Sequence, residues 1–479
     1  MLQKDGITLI IPPSPFLTDE RVFPTLGILK VAAVLEERGI PVEVLDLSGF
    51  SNYEEIIEEH NPYGIVGITA TTPQFPYAVR IANVLKKRGT KMVLGGPHAT
   101  MIGEVMCGRR KHAYDQIVGI FDTVVLGDGE EAIFEAMSSD EQIIHADRLK
   151  DPFFLKDLSA YPYPARDLID MSTYHYNVDG RDAQSLIMQL GCPFNCYFCS
   201  GRNVPSFRKL RTRTAEHVLG EIDEVVRKYS KTGFMFYDDE LNISNEGLLI
   251  LLEELVKYQE KNNLNLRFRG FVRTDLFTQE QADMMYRAGF RELLSGVESG
   301  SDSMLEAMNK GTTSEVNRRW IDRCRKSKIR TKALMSLGHP GESEQTISDS
   351  LDWILHTRPD EVDWTIITEY PGSPYFDESV QQDSDVWVFT NKRTGAVLYS
   401  KEVNYTEESN YYKGIPGSYT SFVWTDFISA KRLVEMRDLC EKISRAVLDL
   451  PPIQNIVAEQ FEHSMGALPT NILRKGRTV

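Results

Sequence analysis

The chain has 479 residues, of which 42% are hydrophobic and 26% are charged, a balance typical of a globular protein with about two or three folding units. Its formal net charge of −15 argues against nucleic acid as a main partner, because phosphate binding needs a basic surface. The sequence has no apolar run of about eighteen residues and no basic segment followed by an apolar core at its start, so we expect no membrane span and a cytoplasmic protein.

The first predicted domain covers residues 1–145. Strand-like apolar runs alternate there with amphipathic helical segments, as in ITLII, LGILKVAAVLEERG, VEVLDL, YGIVGITA, YAVRIANVLKKRG and KMVLGG. This alternation predicts βαβ units and a parallel sheet covered by helices on both faces. We therefore expect a doubly wound, Rossmann-like domain with ligands beyond the carboxyl ends of its strands. Residues 146–180, with proline- and aromatic-rich DPFFLKDLSAYPYPARDLI, are predicted to be a linker.

A second series of strand-like and helix-like segments covers residues 181–375. It contains six strand-then-helix steps, too few for a closed eight-stranded barrel, and predicts a partial (β/α)6 barrel with its site at the carboxyl ends of the strands. Residues 376–479 differ in composition: 385–425 is rich in Trp, Tyr and Asn, and TDFISAKRLVEMRDLCEKISRAVLDL has the spacing of an amphipathic helix. The sequence thus predicts an α/β protein with a mainly helical C-terminal region.

The six cysteines do not form the dense pattern of a disulfide framework. Three of them, Cys107, Cys324 and Cys440, are far apart and are interpreted as ordinary buried or half-buried thiols. The other three lie together in GCPFNCYFCS, residues 191–200. Clustered thiols in a reducing compartment are typical of metal or redox chemistry, so this loop is the first candidate site.

Cys192, Cys196 and Cys199 follow directly on a predicted strand, which would place them at the barrel mouth. A structural zinc site normally has four protein ligands and would need a distant partner such as His175 or His217. Unrelated core cysteines are a poor explanation, because the intervening residues are loop formers. A [4Fe–4S] cluster needs four ligands, and a loop that supplies three thiolates would leave one iron open for a substrate or cofactor.

The spacing CxxxCxxC, with Phe198 before the last cysteine, resembles the signature of radical S-adenosylmethionine (SAM) enzymes. The resemblance implies that the open iron binds the amino and carboxylate groups of SAM. It also implies that reduction of the cluster splits the sulfonium and releases a 5′-deoxyadenosyl radical, which abstracts hydrogen from a substrate. An external electron donor such as flavodoxin or ferredoxin is implied as a partner.

Further matches to this family lie at the ends of later predicted strands. The resemblance assigns Phe198 and five more residues to SAM binding: Tyr237, Asp238 and Asp239 of FYDDE near the amino group, Arg273 of FVRTD at the carboxylate, and Glu298 of SGVESGS at the ribose hydroxyls. An arginine can pair with a carboxylate through two parallel hydrogen bonds. Each carboxylate taken alone would more often be a helix cap or a surface charge, but their shared position at strand ends favours one site.

The first domain followed by this barrel is similar to radical SAM enzymes with a cobalamin-binding domain, over roughly residues 5 to 375. The resemblance suggests cobalamin contacts from Thr69, Thr71, Gly95 and Gly96, although each also fits a tight turn of an ordinary α/β fold. One departure is Ser48 in DLSGFS, where methyl-transferring relatives commonly carry a cobalt-binding histidine.

The resemblance implies a radical SAM enzyme with one [4Fe–4S] cluster, and we expect cobalamin-dependent methylation of a carbon in a small natural-product or sugar-like substrate. The alternatives are a cobalamin-independent rearrangement, dehydration or cyclisation, and a binding protein stabilised by zinc or a cluster. The C-terminal aromatic residues are candidates for a lid, although simple packing is the favoured explanation for Tyr405, Tyr411, Tyr412, Tyr419 and Trp424.

Overall fold

The computed structural model describes residues 3–17, 20–104, 110–149, 157–409, 411 and 419–451. Within these ranges, no helix combines the length and the apolar composition that crossing a membrane needs. The described chain contains two large sheets, one in each half of the first 375 residues, and a smaller C-terminal sheet.

The first sheet has six parallel strands in the order β2-β1-β3-β4-β5-β6. Its strands are β1 (Gln3–Ile11), β2 (Val42–Asp46), β3 (Tyr63–Thr69), β4 (Lys91–Gly95), β5 (Thr123–Leu126) and β6 (Ile143–His145). Its helices are α1 (Leu26–Glu37), α2 (Tyr53–Glu59), α3 (Phe75–Lys86), α4 (Pro97–Glu104), α5 (His112–Ile120) and α6 (Gly129–Ser138). The strand order changes direction beside β1, as in doubly wound folds.

Side chains of β1 alternate between the two faces of this sheet, as the period of a strand requires. Ile7 and Leu9 pack with Leu29 of α1 on one face. Ile10 packs with Phe75 of α3 on the other face. The strands of the first sheet contain continuous apolar runs because helices bury both of its faces. This arrangement confirms the predicted doubly wound domain.

The second sheet has six parallel strands and one antiparallel edge strand, in the order β15-β14-β13-β12-β11-β8-β7. Its strands are β7 (Tyr176–Val178), β8 (Arg181–Leu186), β11 (Gly233–Phe236), β12 (Arg267–Phe271), β13 (Phe290–Glu298), β14 (Arg330–Leu337) and β15 (Glu361–Ile366). A short antiparallel pair, β9 (Gln189–Leu190) and β10 (Arg211–Thr212), brackets the cysteine loop. The six parallel strands confirm the predicted partial barrel.

The helices of the barrel are α7 (Pro205–Arg208), α8 (Ala215–Tyr229), α9 (Asn245–Asn262), α10 (Gln279–Ala288), α11 (Asp302–Ala307), α12 (Ser314–Lys326) and α13 (Glu344–Thr357). Five of them begin after a Ser or Thr whose hydroxyl accepts a backbone hydrogen bond of the first turn: Thr214, Ser244, Thr278, Thr313 and Ser343. Such caps satisfy otherwise unpaired N–H groups and fix where each helix starts.

The C-terminal region adds two helices and a four-stranded antiparallel sheet. Its elements are α14 (Pro374–Asp377), β16 (Val380–Gln381), β17 (Val386–Thr390), β18 (Val397–Lys401), β19 (Val423–Trp424) and α15 (Ala430–Val447). The amphipathic helix predicted from the sequence is α15, which packs against β15 through a hydrogen bond from Trp364 Nε1 to Ser444 Oγ of 3.1 Å. The sheet was not predicted, because its strands are only two to five residues long.

Three of the five aromatic residues considered for a lid pack into cores, in agreement with the explanation favoured from the sequence. Tyr405 and Tyr411 are buried in the core of the first domain, and Tyr419 is buried in the core of the barrel. Trp424 stacks on Tyr399 with ring centroids 5.8 Å apart. The fifth residue of this group, Tyr412, lies outside the described residues.

Candidate functional site

A cleft with a cavity volume of about 510 Å³ lies between the carboxyl edge of the first sheet and the mouth of the barrel. The first domain lines it with Ser14, Ser48, Thr71 and Pro97, which follow β1, β2, β3 and β4. The barrel lines it with Ser185, Ser200, Tyr237 and Tyr370. Tyr237 of the predicted SAM site and Thr71 of the predicted cobalamin site therefore border one cavity.

The cysteine loop, residues 191–200, begins at Gly191, whose φ is +91°. A side chain here would be strained and would collide with the carbonyl of Lys209. The Gly191 N–H donates to Asp239 Oδ2 at 2.9 Å, and the Cys192 N–H donates to the carbonyl of Phe207 at 2.8 Å. The start of the loop is thus fixed between the end of β11 and α7.

The rest of the loop is held by barrel loops that are distant in sequence. The Tyr197 N–H donates to the carbonyl of Met308 at 2.9 Å, and the Tyr197 carbonyl accepts from the Tyr375 N–H at 3.3 Å. Arg208 donates from Nη1 to the carbonyl of Phe194 at 2.8 Å. These hydrogen bonds give the three thiols a defined arrangement at the barrel mouth.

The three thiols differ in their surroundings: Cys196 is buried, Cys192 is half-buried and Cys199 is exposed. Burial raises the pKa of the Cys192 thiol to about 11, and nearby carboxylates act in the same direction. Nη1 of Arg273 lies 4.0 Å from Cys196 Sγ. Among the described residues, no three His, Cys, Asp or Glu side chains form a group that could hold a metal ion. A [4Fe–4S] cluster takes one thiolate at each iron, so its ligands stand farther apart than those of a single ion.

The histidines considered as zinc partners have other contacts. The His217 ring lies 4.8 Å from the Tyr163 ring, and its Nδ1 accepts a hydrogen bond from Arg213 Nε at 2.9 Å. His175 lies in the predicted linker and is exposed, and its backbone N–H donates to the carbonyl of Arg21 at 2.8 Å. Of the isolated cysteines, Cys324 and Cys440 are fully buried, and Cys107 lies outside the described residues.

The turn after β11 contains three of the predicted SAM contacts. Asp238 is buried and accepts hydrogen bonds from the N–H groups of residues 188–189 at 3.1 and 2.6 Å. Burial raises its pKa to about 7. Asp239 accepts from Gly191, whereas Tyr237 lines the cleft. Asp238 and Asp239 therefore shape the backbone around the cysteine loop, and Tyr237 is the one that borders the cavity.

Glu240, the last residue of FYDDE, is missing from the sequence-based candidates. Its Oε2 is buried and has no hydrogen-bond partner among the described residues. Burial raises the pKa of this carboxyl to about 7, although Lys310 and Arg273 favour its ionised form. A buried, unpaired carboxylate oxygen beside two cations can accept hydrogen bonds from a ligand. In the sequence, Glu240 is the third consecutive acidic residue after the strand, and this run of acids could have identified it.

Arg273, predicted to bind a carboxylate, already forms a bidentate pair within the protein. Its Nε and Nη2 donate to Asp275 at 2.9 and 3.1 Å, and Nη2 also donates to the carbonyl of Lys310 at 2.9 Å. The guanidinium carbon lies 3.7 Å from the centroid of the Phe194 ring. The remaining nitrogen, Nη1, faces Cys196, so one nitrogen rather than two is directed at the cysteine loop.

Glu298 ends β13 with a φ of +65°, which is uncommon for a residue with a side chain. Its Oε1 accepts from Lys310 Nζ at 3.0 Å, and its Oε2 accepts from Ser336 Oγ at 2.7 Å. A side chain at Gly296 would collide with Oε1. Lys310 Nζ lies 5.7 Å from the centroid of the Phe198 ring. The structure therefore brings Glu298 and Phe198 together through a lysine that the sequence did not single out.

The four residues predicted to contact cobalamin lie at one edge of the first sheet. Thr69 and Gly95 are register partners at the ends of β3 and β4. Thr71 lines the cleft and donates from its hydroxyl to Gln74 Oε1 at 3.0 Å. A Cβ at Gly95 would meet open space, whereas one at Gly96, with φ +93°, would lie 2.6 Å from Thr69 Oγ1. Gly96 thus fits the tight turn that the sequence allowed, and Gly95 leaves room for a ligand.

Ser48, which stands where relatives carry a histidine, is buried and lines the same cleft. Its N–H donates to Asp46 Oδ1 at 3.1 Å, and its carbonyl accepts from Arg21 Nε at 2.7 Å. Arg21 also pairs with Asp46 at 2.5 Å. The loop after β2 is therefore ordered by its own polar contacts, with a small hydroxyl residue facing the cleft.

Two family models match this chain. The model described as "Radical SAM superfamily" matches residues 186–354, and the model described as "B12 binding domain" matches residues 17–136. The first match includes the cysteine loop and the carboxyl ends of β8 and of β11 to β14, and the second includes the loops after β2, β3 and β4 that line the cleft.

Individual proteins are similar to most of this chain. The chain is 24% identical over 452 residues to an uncharacterized methyltransferase of Pyrococcus horikoshii, covering 90% of this chain and 95% of that protein. It is 24% identical over 331 residues to bacteriochlorophyllide d C-12(1)-methyltransferase of Chlorobaculum tepidum, covering 68% of each.

Among solved structures, the radical SAM methyltransferase TsrM from Kitasatospora setae has a similar fold. With cobalamin and a [4Fe–4S] cluster bound, it aligns with TM-score 0.60 and 18% identity over 82% of each chain. With tryptophan and a SAM analogue bound, it aligns with TM-score 0.63 and 18% identity over 95% of this chain and 93% of that chain. At 95% coverage of this chain, the similarity in fold includes both large sheets.

Proposed function

Since the chain belongs to the family of radical SAM enzymes with a B12-binding domain, we propose that it is a methyltransferase that acts on a carbon atom of a small molecule. Its cofactors are a [4Fe–4S] cluster, SAM and cobalamin. The observation that carries this proposal is the single cleft bordered by the cysteine loop region, the barrel strand ends and the edge of the first sheet.

The barrel mouth suits a charged small ligand. Cys192, Cys196 and Cys199 would hold the cluster and leave one iron open. When bound, the cluster supplies an electron that splits the sulfonium of SAM, and cobalamin supplies a carrier for a methyl group. Glu240 Oε2 would accept from the amino group of SAM, and Glu298 would accept from its ribose hydroxyls.

Phe198, Tyr237 and Arg273 would complete the SAM site. Phe198 and Tyr237 offer ring surfaces beside the cysteine loop and the cleft. Arg273 would face the SAM carboxylate with Nη1, because its other nitrogen atoms bond to the protein. Asp238 and Asp239 would act through the backbone that they hold rather than by direct contact.

The edge of the first sheet would hold cobalamin through its shape and backbone. Gly95 and the hydroxyls of Thr69 and Thr71 offer close approach and hydrogen bonds, and Gly96 supports the turn. A serine hydroxyl is a weak ligand for cobalt compared with the imidazole of histidine. Ser48 would therefore contact the cofactor without providing a strong bond to the metal.

The substrate would enter the cleft between these two sites. Hydroxyl and apolar side chains line it, which suits a small natural product or a sugar-like compound. An external one-electron donor such as flavodoxin or ferredoxin would reduce the cluster, and the reaction would take place in the cytoplasm. No part of this proposal involves nucleic acid, in keeping with the net charge of −15.

Anaerobic reconstitution with iron, sulfide and hydroxocobalamin tests the proposal. We expect a brown protein that retains one cobalamin for each cluster, as measured by its cobalt and iron contents. With SAM and dithionite, it should form 5′-deoxyadenosine, and with substrate also S-adenosylhomocysteine. A protein that cleaves SAM but retains no cobalamin would favour rearrangement, dehydration or cyclisation, and an iron-free, colourless protein would favour a binding protein.

A further inference from the structure

A line of buried polar side chains runs across the barrel mouth from Glu298 to Tyr375. Glu298 Oε2 and Ser336 Oγ are 2.7 Å apart, and Ser336 Oγ and His339 Nε2 are 2.8 Å apart. His339 Nδ1 and the Tyr375 hydroxyl are 3.2 Å apart. His339 is fully buried and Tyr375 is 1% exposed. Such groups are costly to bury unless each is paired, so the line is a specific feature of this site.

The direction of every hydrogen bond in this line follows from its first member. Glu298 pairs with Lys310, and an ionised carboxylate can only accept. Ser336 has one hydroxyl proton and gives it to Glu298, so it accepts from His339 Nε2–H. Burial, with a contribution from Lys310, lowers the pKa of His339 to about 3, which keeps the ring neutral. Its Nδ1 then accepts from the Tyr375 hydroxyl.

The same line connects Glu298 to the cysteine loop. The rings of His339 and Phe198 meet edge to face with centroids 5.3 Å apart. The Tyr375 N–H donates to the carbonyl of Tyr197 at 3.3 Å. His339 lies after β14 and Tyr375 in α14, so two later strand-end loops are tied to the loop that carries the thiols.

We propose that His339 and Tyr375 are positioning residues which, through Ser336, hold the Glu298 carboxylate in the orientation that accepts hydrogen bonds from the ribose of SAM. This inference rests on the proposed function. Glu298 has a long side chain at the end of a strand, and Lys310 fixes only Oε1. The bond from Ser336 fixes Oε2, and the His339 tautomer ensures that the Ser336 proton points to Glu298 rather than elsewhere.

The first test measures the His339 tautomer in protein without cluster, cobalamin or SAM. In ¹⁵N-histidine NMR spectra of wild type, the His339 signals, assigned by their loss in His339→Gln, should show a protonated Nε2 and an unprotonated Nδ1. A protonated Nδ1 would overturn the proposed direction of the line. Tyr375→Phe should weaken this preference, because the hydroxyl that donates to Nδ1 is removed.

The second test measures the SAM dissociation constant of the cluster-loaded protein, with bound iron and the thermal unfolding midpoint determined for each variant. Ser336→Ala and His339→Leu should each weaken SAM binding about tenfold, the effect of one hydrogen bond to a charged group. Tyr375→Phe should weaken it about threefold. His339→Gln has an amide that can donate to Ser336 and accept from Tyr375, so its affinity should stay within about twofold of wild type.

Thr331→Val is the matched control. Thr331 lies on β14 like Ser336, is also buried, and bonds to Asp360 at 3.0 Å at the opposite end of the strand. Loss of the Thr331 hydroxyl should change the thermal unfolding midpoint but should leave the SAM affinity unchanged. Equal affinity in His339→Leu and wild type, or equal loss in His339→Leu and His339→Gln, would overturn the positioning role. Absence of SAM binding in iron-loaded wild type would instead overturn the proposed function.

Discussion

The two walls of the cleft are built from different chemistry. At the barrel mouth, buried charges lie close together: Arg273, Lys310, Glu240 and Glu298. At the edge of the first sheet, the lining consists largely of hydroxyl, proline and apolar residues, with Ser14, Thr71 and Pro97 as examples. The difference suggests that the barrel wall recognises a small charged ligand and that the sheet wall receives a larger one through shape and backbone contacts.

The charged residues near the sheet edge serve the protein itself. Glu20 Oε2 accepts from the N–H groups of Ser14 and Gly49 at 2.5 and 2.8 Å. Arg21 pairs with Asp46 at 2.5 Å. These pairs order the loops after β1 and β2. On the barrel side, by contrast, the Glu240 Oε2 atom has no hydrogen-bond partner among the described residues.

The largest expected effect is that of Cys196→Ala. The thiol is buried 4.0 Å from Arg273 Nη1, and its loss removes one of three cluster ligands. We expect loss of bound iron, of visible absorbance and of 5′-deoxyadenosine formation, while cobalamin retention is unchanged. Cys324→Ala, at a buried thiol in the barrel core, should keep the cluster. Iron and SAM cleavage retained in the Cys196 variant would show that the metal site lies elsewhere.

The next largest effect is expected for Glu240→Gln. Replacing the carboxylate with an amide removes a charged acceptor that we assign to the SAM amino group, worth about 1.5–3 kcal/mol, or roughly tenfold to a hundredfold in affinity. Equilibrium binding of SAM to the cluster-loaded protein measures this effect. Glu253→Gln, an exposed position on α9, is the control. Unchanged SAM affinity in the Glu240 variant would show that another residue binds the amino group of SAM.

Much of the fold could be predicted because its signals are local. Apolar runs and helical spacing identified both series of strands and α15, and the position of the thiols after a strand indicated the barrel mouth. The strand β8 ends at Leu186, and the chain bends before the short strand β9. Asp238 explains this bend, because it accepts hydrogen bonds from the backbone of residues 188–189.

The remaining features depend on contacts between distant segments. Lys310 reaches Glu298 from the loop after α11, and no local pattern marks it. Asp239 resembles a ligand contact in sequence but bonds to the Gly191 backbone instead. The C-terminal sheet forms from short strands whose partners are separated by turns and loops. Such contacts can be identified only in the folded chain, where the strand ends lie at one edge of the sheet.

The smallest expected effects come from two neighbouring glycines on the sheet wall. In Gly96→Ala, the new Cβ would lie 2.6 Å from Thr69 Oγ1 at a backbone φ of +93°, so we expect the first domain to lose about 1–3 kcal/mol of stability. In Gly95→Ala, the Cβ would meet no atom within 4 Å, so stability should change by less than about 1 kcal/mol. Denaturant unfolding measures both.

This pair separates the requirements of the fold from contact with a ligand. If the sheet edge receives cobalamin through close backbone approach at residue 95, Gly95→Ala should lose cobalamin although its stability and its iron content stay at wild-type values. Gly96→Ala should lose cobalamin only in proportion to the fraction of the first domain that is unfolded. Full cobalamin retention in Gly95→Ala would contradict close approach at this position. The sheet wall would then bind its ligand through the hydroxyl groups of the other loops, and the two walls of the cleft would both rely on side chains.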